Sequence, residues 1–195
     1  MPGSIKIDDG SGNYTILTNA GSLGSDKTLT IPNETATLAT TNGITGADTY
    51  RMTSDLTSTT TPITNWERPD GTLQSTAFIG SGMSVSSGLF TFPATGIWRV
   101  DATAYAEIDS SGGIVEFSIK ATDDNFSSEA IVQIARFAAN DNFEDGIAGG
   151  STLLDIEDTA NDKVKFELGT SGTVKLRGDS SINRTHITFT RLGDT

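Results

Sequence analysis

The sequence predicts an all-β fold, an antiparallel jelly-roll sandwich preceded by a small N-terminal β segment. From about residue 63 onward, apolar residues alternate with polar ones, which is typical of strands with one buried and one solvated face. Clusters of Gly, Ser, Asn and Asp interrupt these runs at short intervals, as turns between antiparallel strands do. The chain also contains 30 Thr and 21 Gly among its 195 residues, and these residue types suit strands and turns respectively.

The first 43 residues predict short strands that cannot form a core by themselves. Ile5 and Ile7 lie on one face of a strand, residues 8–13 have the composition of a turn, and a second strand is expected over 14–18. A hairpin is expected over 28–40. Because strands of this size bury too little apolar surface, we expect this segment to pack against other copies of the chain or a larger particle.

The next segment, residues 44–62, is predicted to be a linker. It is polar, rich in Thr and Ser, and it ends at Pro62. All nine Phe and both Trp follow it, so residues 63–195 are expected to form one domain with its own core.

Within residues 63–195, strands are predicted wherever apolar residues recur at every second position. These strands cover residues 98–107, 115–120, 164–168, 174–177 and 187–190. Glycine-rich turns are predicted between them, including 110–113, 149–151 and 170–172. Seven large side chains are expected to form the core: Phe90, Phe92, Trp98, Val100, Phe117, Phe166 and Phe189.

The segment 128–139 is compatible with two structures. Ser128 could cap a helix in which Ile131, Ile134 and Ala138 share one face. The β-branched residues of this segment favour a strand, as do the predicted strands on either side. The sequence leaves the two structures open.

Composition excludes several classes of site and partner. The chain has no cysteine, which excludes disulfides and thiolate metal sites, and its single histidine, His186, cannot form a multi-histidine centre. A net charge of −12 argues against binding to nucleic acid or to anionic membranes. No apolar run approaches the roughly 20 residues that span a bilayer. The first residues also lack the apolar region of a signal peptide, so none is expected.

No motif in the sequence predicts an enzyme. The chain lacks a G-x-S-x-G nucleophile motif, a phosphate-binding loop and a dinucleotide fingerprint, so we expect neither catalysis nor a cofactor. His186 is expected to lie on a strand face. A carboxylate pair for glycoside cleavage stays open, because sequence does not give the separation of carboxylates. Arg177-Gly178-Asp179 spells an integrin-binding tripeptide but also fits a turn.

Two candidate ligand sites each have a structural alternative. Asp123, Asp124 and Asn125 supply clustered oxygens of the kind that Ca²⁺ prefers, as does the segment 8–13, but Asp and Asn are also common turn residues. Trp66 could stack on a carbohydrate, or it could anchor the start of the domain in the core.

Residues 28–43, TLTIPNETATLATTNG, resemble a segment of tail-fibre and other virion surface proteins of tailed bacteriophages. The shared features are an alternating strand, a Pro turn, a small-residue strand ending in Leu-Ala-Thr, and a final Asn-Gly. With residues 5–7 and 13–17, the resemblance covers about the first fifth of the chain. It implies that residues 1–43 attach the protein to other virion proteins.

Residues 88–100, GLFTFPATGIWRV, resemble the G-x-F-x-x-P-x-x-G-x-Y-x-F pattern of C1q/tumour-necrosis-factor-like domains. Residues 153–166 and 185–192 resemble later strands of that family. Trp98 and Val100 replace the aromatic pair of the pattern, and Asn161 replaces a glycine. The resemblance implies a jelly roll over residues 63–193 and assembly into a homotrimer.

Together these resemblances predict a structural virion surface protein of a tailed phage, made in the host cytoplasm. It would be a homotrimeric short fibre or knob, attached through residues 1–43, that decorates the capsid or binds a glycan or protein of the host surface. A non-viral C1q-like binding module and a polysaccharide-degrading appendage are the alternatives.

Overall fold

The computed structural model describes residues 4–8, 14–18, 43–74, 78–140 and 144–195. The chain divides into two compact units, residues 1–40 and residues 41–195. Each unit is described by itself below.

The first unit contains a two-stranded antiparallel sheet. Strand β1 (Ser4–Asp8) pairs with strand β2 (Tyr14–Thr18), with Ser4 opposite Thr18 and Asp8 opposite Tyr14. These are the two short strands that the alternation of apolar residues predicts. Of the turn predicted over residues 8–13, only Asp8 is among the described residues. The hairpin predicted over 28–40 lies outside the described residues.

The second unit contains nine strands, and none of its described residues is helical. In chain order these strands are β3 (Gly46–Met52), β4 (Trp66–Glu67), β5 (Ser84–Ser86), β6 (Leu89–Thr91), β7 (Gly96–Thr122), β8 (Ala130–Ala139), β9 (Glu144–Ile156), β10 (Lys163–Leu176) and β11 (His186–Gly193).

The long strand β7 belongs to both layers of the sandwich. Its first half, residues 96–108, pairs with β9 on one side and with β11 on the other. Its second half, residues 113–121, pairs with β8 and β10. The first layer therefore has the order β4-β3-β11-β7-β9, and the second has the order β5-β6-β10-β7-β8. All these pairs are antiparallel, which gives the predicted all-β jelly-roll sandwich.

Glycines allow β7 and β10 to cross between the layers. Gly172 in β10 has φ +80°, and a Cβ atom there would lie 2.4 Å from the carbonyl oxygen of Gly112. A Cβ atom on Gly113 would lie 2.5 Å from Val174. The glycine clusters predicted as turns at 110–113 and 170–172 are not turns, because they lie within β7 and β10, where these long strands change layers. The cluster at 149–151 is not a turn, because it lies within β9.

The core between the layers is rich in aromatic rings. The seven residues that the sequence places there are all at most 2% exposed. Phe166 of the second layer has its ring 5.7 Å from that of Trp66 and 6.3 Å from that of Phe189, both of the first layer. Phe90 and Phe117 surround the same ring from the second layer, at 5.4 and 5.9 Å. Such ring pairs add specific edge-on and stacked packing to ordinary apolar burial.

A buried ion pair joins β3 to the chain around residue 83. Asp48 is 1% exposed and accepts two hydrogen bonds from Arg68, one from Nε at 2.9 Å and one from Nη2 at 2.6 Å. The backbone N–H of Met83 also donates to Asp48 at 2.8 Å, and the Tyr50 hydroxyl donates to the Met83 carbonyl at 2.9 Å. Because each buried polar group has a partner, the pair can be accommodated in the core.

The prediction of a linker over residues 44–62 requires correction. Strand β3 lies between β4 and β11 in the first layer, and residues 56–63 run beside β10. The Leu56 N–H donates to the Leu176 carbonyl at 2.9 Å, and the Ile63 N–H donates to the Phe166 carbonyl at 2.8 Å. Threonine and serine are common in linkers, but threonine is also β-branched and suits strands, so composition did not distinguish the two.

The segment 128–139, for which the sequence left helix and strand open, forms strand β8. Its residues pair with β7 from Ala130 opposite Ala121 to Ala139 opposite Gly113, with one irregularity near Ile119. Ser128 does not cap a helix, since its hydroxyl donates to Asp124 at 2.7 Å. Among the described residues there is no helix long and apolar enough to cross a membrane.

Candidate interaction surface

The two sides of the sandwich end in very different strands. On one side the outermost strands are β4 and β5, which have two and three residues. On the other side they are β8 and β9, which have ten and thirteen residues. Each of these two pairs only with β7 among the described strands, so its outer backbone edge has no partner strand. Proteins usually shorten or protect edge strands, because an open edge can pair with another chain.

Strands β8 and β9 lie against one another through side chains. A Cβ atom on Gly146 of β9 would lie 2.0 Å from the Phe137 ring of β8, and one on Gly150 would lie 2.1 Å from Gln133. The side chains of β8 therefore cover Gly146 and Gly150 of β9. The two unpaired edges consequently form one continuous side of the molecule.

Four large aliphatic side chains are exposed on these strands. On β8, Ile131 is 54% exposed and Ile134 is 47% exposed; on β9, Ile147 is 66% exposed and Leu153 is 61% exposed. Ile131 and Ile134 lie on the outer face of the second layer, opposite Lys120 and Ser118, whereas Ile147 and Leu153 lie on the outer face of the first layer, opposite Tyr105 and Arg99. We call these four residues, which flank the unpaired edges on the two faces, the edge surface. Strand β8 carries a single charge in ten residues, that of Arg136. Apolar side chains concentrated on unpaired strands are typical of a contact with another protein.

A cavity of about 310 Å³ lies on the outer face of the first layer, beside the edge surface. Its lining consists of Thr103, Tyr105, Ile147, Asn183, Arg184 and His186. Thr103 and Tyr105 point outward, since they alternate with the buried alanines of β7. We call this depression the Tyr105 cavity.

The polar groups around the Tyr105 cavity are only partly satisfied. The Tyr105 hydroxyl donates to Asp145 at 2.7 Å, and this hydrogen bond raises the pKa of the tyrosine. The Arg184 guanidinium lies 5.8 Å from the centre of the Tyr105 ring. The Oδ1 atom of Asn183 is buried and has no hydrogen-bond partner among the described residues. A buried acceptor without a donor is energetically costly.

The residues proposed for calcium are used within a turn. Asp124 accepts hydrogen bonds from the Ser128 backbone at 2.9 Å, the Ser128 hydroxyl at 2.7 Å and the Thr122 hydroxyl at 2.7 Å. These bonds, first of all the one from the Ser128 backbone, lower the pKa of Asp124 to about 2. Asn125 accepts a bond from Lys163. In the part of the chain that the structure describes, no three acidic or histidine side chains are grouped to hold a metal ion. Calcium binding at Asp123, Asp124 and Asn125 stays a prediction.

Trp66 lies in the core, which corresponds to the packing alternative. Trp66 is only 8% exposed, and its indole N–H donates to the Ile63 carbonyl at 2.9 Å. The Phe90 and Phe166 rings lie 6.0 and 5.7 Å away. The indole therefore presents too little free surface for a sugar ring to stack on.

The tripeptide Arg177-Gly178-Asp179 is held by neighbouring groups. Arg177 forms ion pairs with Asp55 at 3.0 Å and with Glu107 at 3.1 Å. Asp179 accepts hydrogen bonds from the hydroxyl and the backbone of Ser181, which lower its pKa to about 2. These contacts give the tripeptide a structural role in the turn after β10.

His186 is the first residue of β11, as its strand pattern predicts, and it contributes to the Tyr105 cavity. Its Nδ1 atom lies 3.4 Å from the Arg184 carbonyl. The sequence did not single out the edge surface or the cavity. Residues 147, 149 and 153 lie on one face of β9, and this alternation could have indicated the surface. The glycines at 149 and 150 instead led to the prediction of a turn there.

Two solved structures are similar to this chain over most of their length. Eiger TNF from S. frugiperda superimposes with a TM-score of 0.59, covering 79% of this chain and 96% of that one at 10% sequence identity. Murine APRIL at pH 8.5 superimposes with a TM-score of 0.53, covering 75% of this chain and 98% of that one at 9% identity. The fold is a TNF-like jelly roll.

The fold that the C1q/TNF-like resemblance implies is therefore confirmed. No protein-family model matches the chain, and no curated protein matches it in sequence. At identities of 10% and below, the TNF-like likeness establishes the fold alone.

Proposed function

We propose that this protein is a homotrimeric structural and binding knob without enzymatic activity. In this proposal the TNF-like jelly roll is the knob, and residues 1–43 attach it to a larger particle. The particle would be the virion of a tailed bacteriophage, where the knob serves as a short fibre or decoration protein. Three linked sites of low affinity would let it hold a host glycan or protein through multivalent binding.

The observation that carries the proposal is the edge surface. Two strands of ten and thirteen residues have unpaired outer edges, and four exposed aliphatic side chains lie on them. Neighbouring copies of the chain would cover these side chains and remove the open edges from water. The opposite side of the sandwich, which ends in β4 and β5, needs no such cover.

Closed symmetry limits the number of copies. We propose that the edge surface of one copy contacts a different patch of the next copy, which makes the contact heterologous. Such heterologous contacts close into a ring when the rotation between copies permits it. A ring of three is the assembly that the resemblance to C1q/TNF-like domains implies.

The attachment role of residues 1–43 is supported by their structure and their sequence. The sheet of β1 and β2 has five residues in each strand, and a two-stranded sheet of this size is marginal by itself. It therefore favours packing against other chains. The phage-like segment over 28–43 supports a virion as the particle.

Matched variants of the full chain test the self-association. Ile134→Asp places a charge on the edge surface, while Leu192→Asp makes the same change at a residue of β11 that is 55% exposed. We expect light scattering to give trimers for the parent and for Leu192→Asp, and a shift towards monomers for Ile134→Asp. A trimer that is unaffected by Ile134→Asp would overturn the role of the edge surface.

The virion assignment has its own test. Deletion of residues 1–43 should leave a folded trimer that no longer enters purified particles. Incorporation of the shortened chain at the parental level would overturn the attachment role.

A further inference from the structure

We infer that a cavity over Gly169, on the outer face of the second layer, binds one sugar residue of a neutral saccharide. The cavity has a volume of about 240 Å³. Pockets for drug-sized ligands measure roughly 300–1,000 Å³, so this smaller cavity suits a single sugar ring. The inference rests on the proposed function as a binding knob, and it gives that function a ligand class and a place on the molecule.

Gly169 lies inside strand β10, where a glycine weakens the strand. The other glycines of β7, β9 and β10 have a structural reason, because a Cβ atom on each would lie 3.0 Å or less from a neighbouring atom. A Cβ atom on Gly169 would have the Glu116 Cβ as its nearest neighbour, at 3.5 Å, which is an ordinary contact.

The backbone does not require a glycine at this position either. The φ angle of Gly169 lies outside the left-handed region, and the residue pairs regularly with Glu116 of β7. The irregularity in that pairing lies between residues 172 and 174. A glycine inside a strand, without a bulge or a close backbone neighbour, is typical of a place where a ligand approaches the sheet. The space above Gly169 is therefore the feature that this glycine provides.

One wall of the cavity combines a carboxylate with a guanidinium group. Glu116 of β7 and Arg136 of β8 lie opposite one another in the second layer, and both line the cavity. Their ion pair is loose, at 3.4 Å, and their side chains are 37% and 58% exposed. A carboxylate only accepts hydrogen bonds and a guanidinium only donates them. Neighbouring hydroxyls of a sugar can donate to the first group and accept from the second.

Hydroxyl groups and one apolar side chain complete the lining. Thr59 and Ser171 are exposed residues that contribute hydroxyls, which both donate and accept hydrogen bonds. The Thr59 Oγ1 atom lies 3.3 Å from the Thr170 Oγ1 atom, which holds this part of the chain beside β10. Ile114 offers apolar surface to the C–H groups of a sugar ring. The lining thus matches a ligand that carries several hydroxyls on a small ring.

The charges of the lining favour a neutral ligand. Glu116 and Arg136 have opposite charges and lie side by side. An anionic ligand would be attracted by the guanidinium but repelled by the carboxylate, and a cationic ligand would meet the reverse. A neutral sugar can form hydrogen bonds to both charged groups, and such bonds are stronger than those between neutral groups.

The position of the cavity is compatible with the proposed self-association. Gly169 lies on β10, and strands β7 and β8 lie between it and the unpaired edge of the second layer. Copies that cover the edge surface can therefore leave the space over Gly169 open. A trimer would carry three such cavities, and their linkage would raise the affinity for a polymeric glycan.

Filling the cavity of the full chain tests the inference. Gly169→Val places a side chain in the cavity, and its Cβ atom meets only ordinary contacts. The matched control is Gly193→Val, at the last residue of β11, where a Cβ atom has no neighbour within 4 Å. The probe is an array of immobilised oligosaccharides that are neutral, carboxylated or sulfated. We expect the parent and Gly193→Val to bind neutral members of the array, and Gly169→Val to lose this binding.

Thermal unfolding of the same variants tests the alternative that Gly169 serves the fold. The Tm of Gly169→Val should equal or exceed that of the parent, because a β-branched residue suits a strand better than glycine. A clearly lower Tm would give Gly169 a structural role and overturn the inference.

Arg136→Leu tests the charged wall without a change at Gly169. It should weaken binding to neutral oligosaccharides about tenfold or more, because hydrogen bonds to charged groups contribute at least about a factor of ten in affinity. Binding at the parental level would remove Arg136 from the site and overturn the proposed recognition.

Native mass measured on the same samples separates this inference from the proposed self-association. A trimer that binds no neutral oligosaccharide, binds only charged ones, or binds equally well as Gly169→Val overturns the inference and leaves the trimer intact. A monomeric parent that binds neutral oligosaccharides and loses them in Gly169→Val overturns the self-association and leaves the site. A monomeric parent that binds none overturns both.

Discussion

Replacement of Phe166 by alanine tests whether one aromatic core joins the two layers. Phe166 is fully buried, and its ring lies within 6.3 Å of four other aromatic rings, two from each layer. Truncation of a buried phenylalanine costs about 3–5 kcal/mol through lost transfer free energy and the cavity that remains. Four ring pairs are lost here, so we expect Phe166→Ala to fall at the upper end, about 5 kcal/mol.

The assay is urea unfolding followed by tryptophan fluorescence, since Trp66 and Trp98 both lie in the core. Parent and variant are compared at one chain concentration, because the stability of an oligomer depends on concentration. Phe166→Leu is the graded control and should lose less than half as much, since it keeps much of the apolar volume. A loss below about 1.5 kcal/mol for Phe166→Ala would refute the shared core, because it is half of the smallest loss expected when a buried phenylalanine is truncated.

Three further outcomes follow from the structure. In thermal unfolding, Gly172→Ala should lower the stability by about 1–3 kcal/mol, because the residue has φ +80° and no room for a Cβ atom. The control Gly193→Ala should change the stability little, because a Cβ atom there meets no neighbouring atom. Asp48→Ala should cost about 1–3 kcal/mol in urea unfolding, since it leaves the buried Met83 N–H without its acceptor and the partly exposed Arg68 without its partner. The pKa of Asp124 is about 2, below its ordinary value of 3.8. The ionised Asp124 therefore stabilises the folded state above pH 4, and this stabilisation is lost as the pH falls towards 2. In Asp124→Asn, the stability of the folded state should depend less on pH across that range.

Much of the fold could be predicted from the sequence because burial in a sandwich alternates along each strand. Val100, Phe166 and Phe189 alternate with polar neighbours, and each lies in the core between the layers. Where the same alternation used small residues, as in 149–151 of β9, it resembled a turn. Gly150 leaves room for the Gln133 side chain of β8 and Gly149 for the backbone of β7, and both approaches depend on the three-dimensional fold.

The linker predicted over 44–62 shows a different limit. Asp48 is a charged residue in a polar, Thr-rich stretch, and nothing local indicates that Arg68 pairs with it inside the molecule. Strand β3 is stabilised by its neighbours β4 and β11 rather than by its own composition. The edge surface was missed for a related reason: an isoleucine at 131 or 134 has the same local pattern whether it faces the core or water.

Native mass spectrometry of the full chain is the most direct measurement of the central claim, that the long unpaired edges are covered by other copies. The account predicts a closed assembly of three times the 20.5 kDa chain, which Ile134→Asp dissociates. A parent chain that stays at 20.5 kDa at micromolar concentration would contradict it.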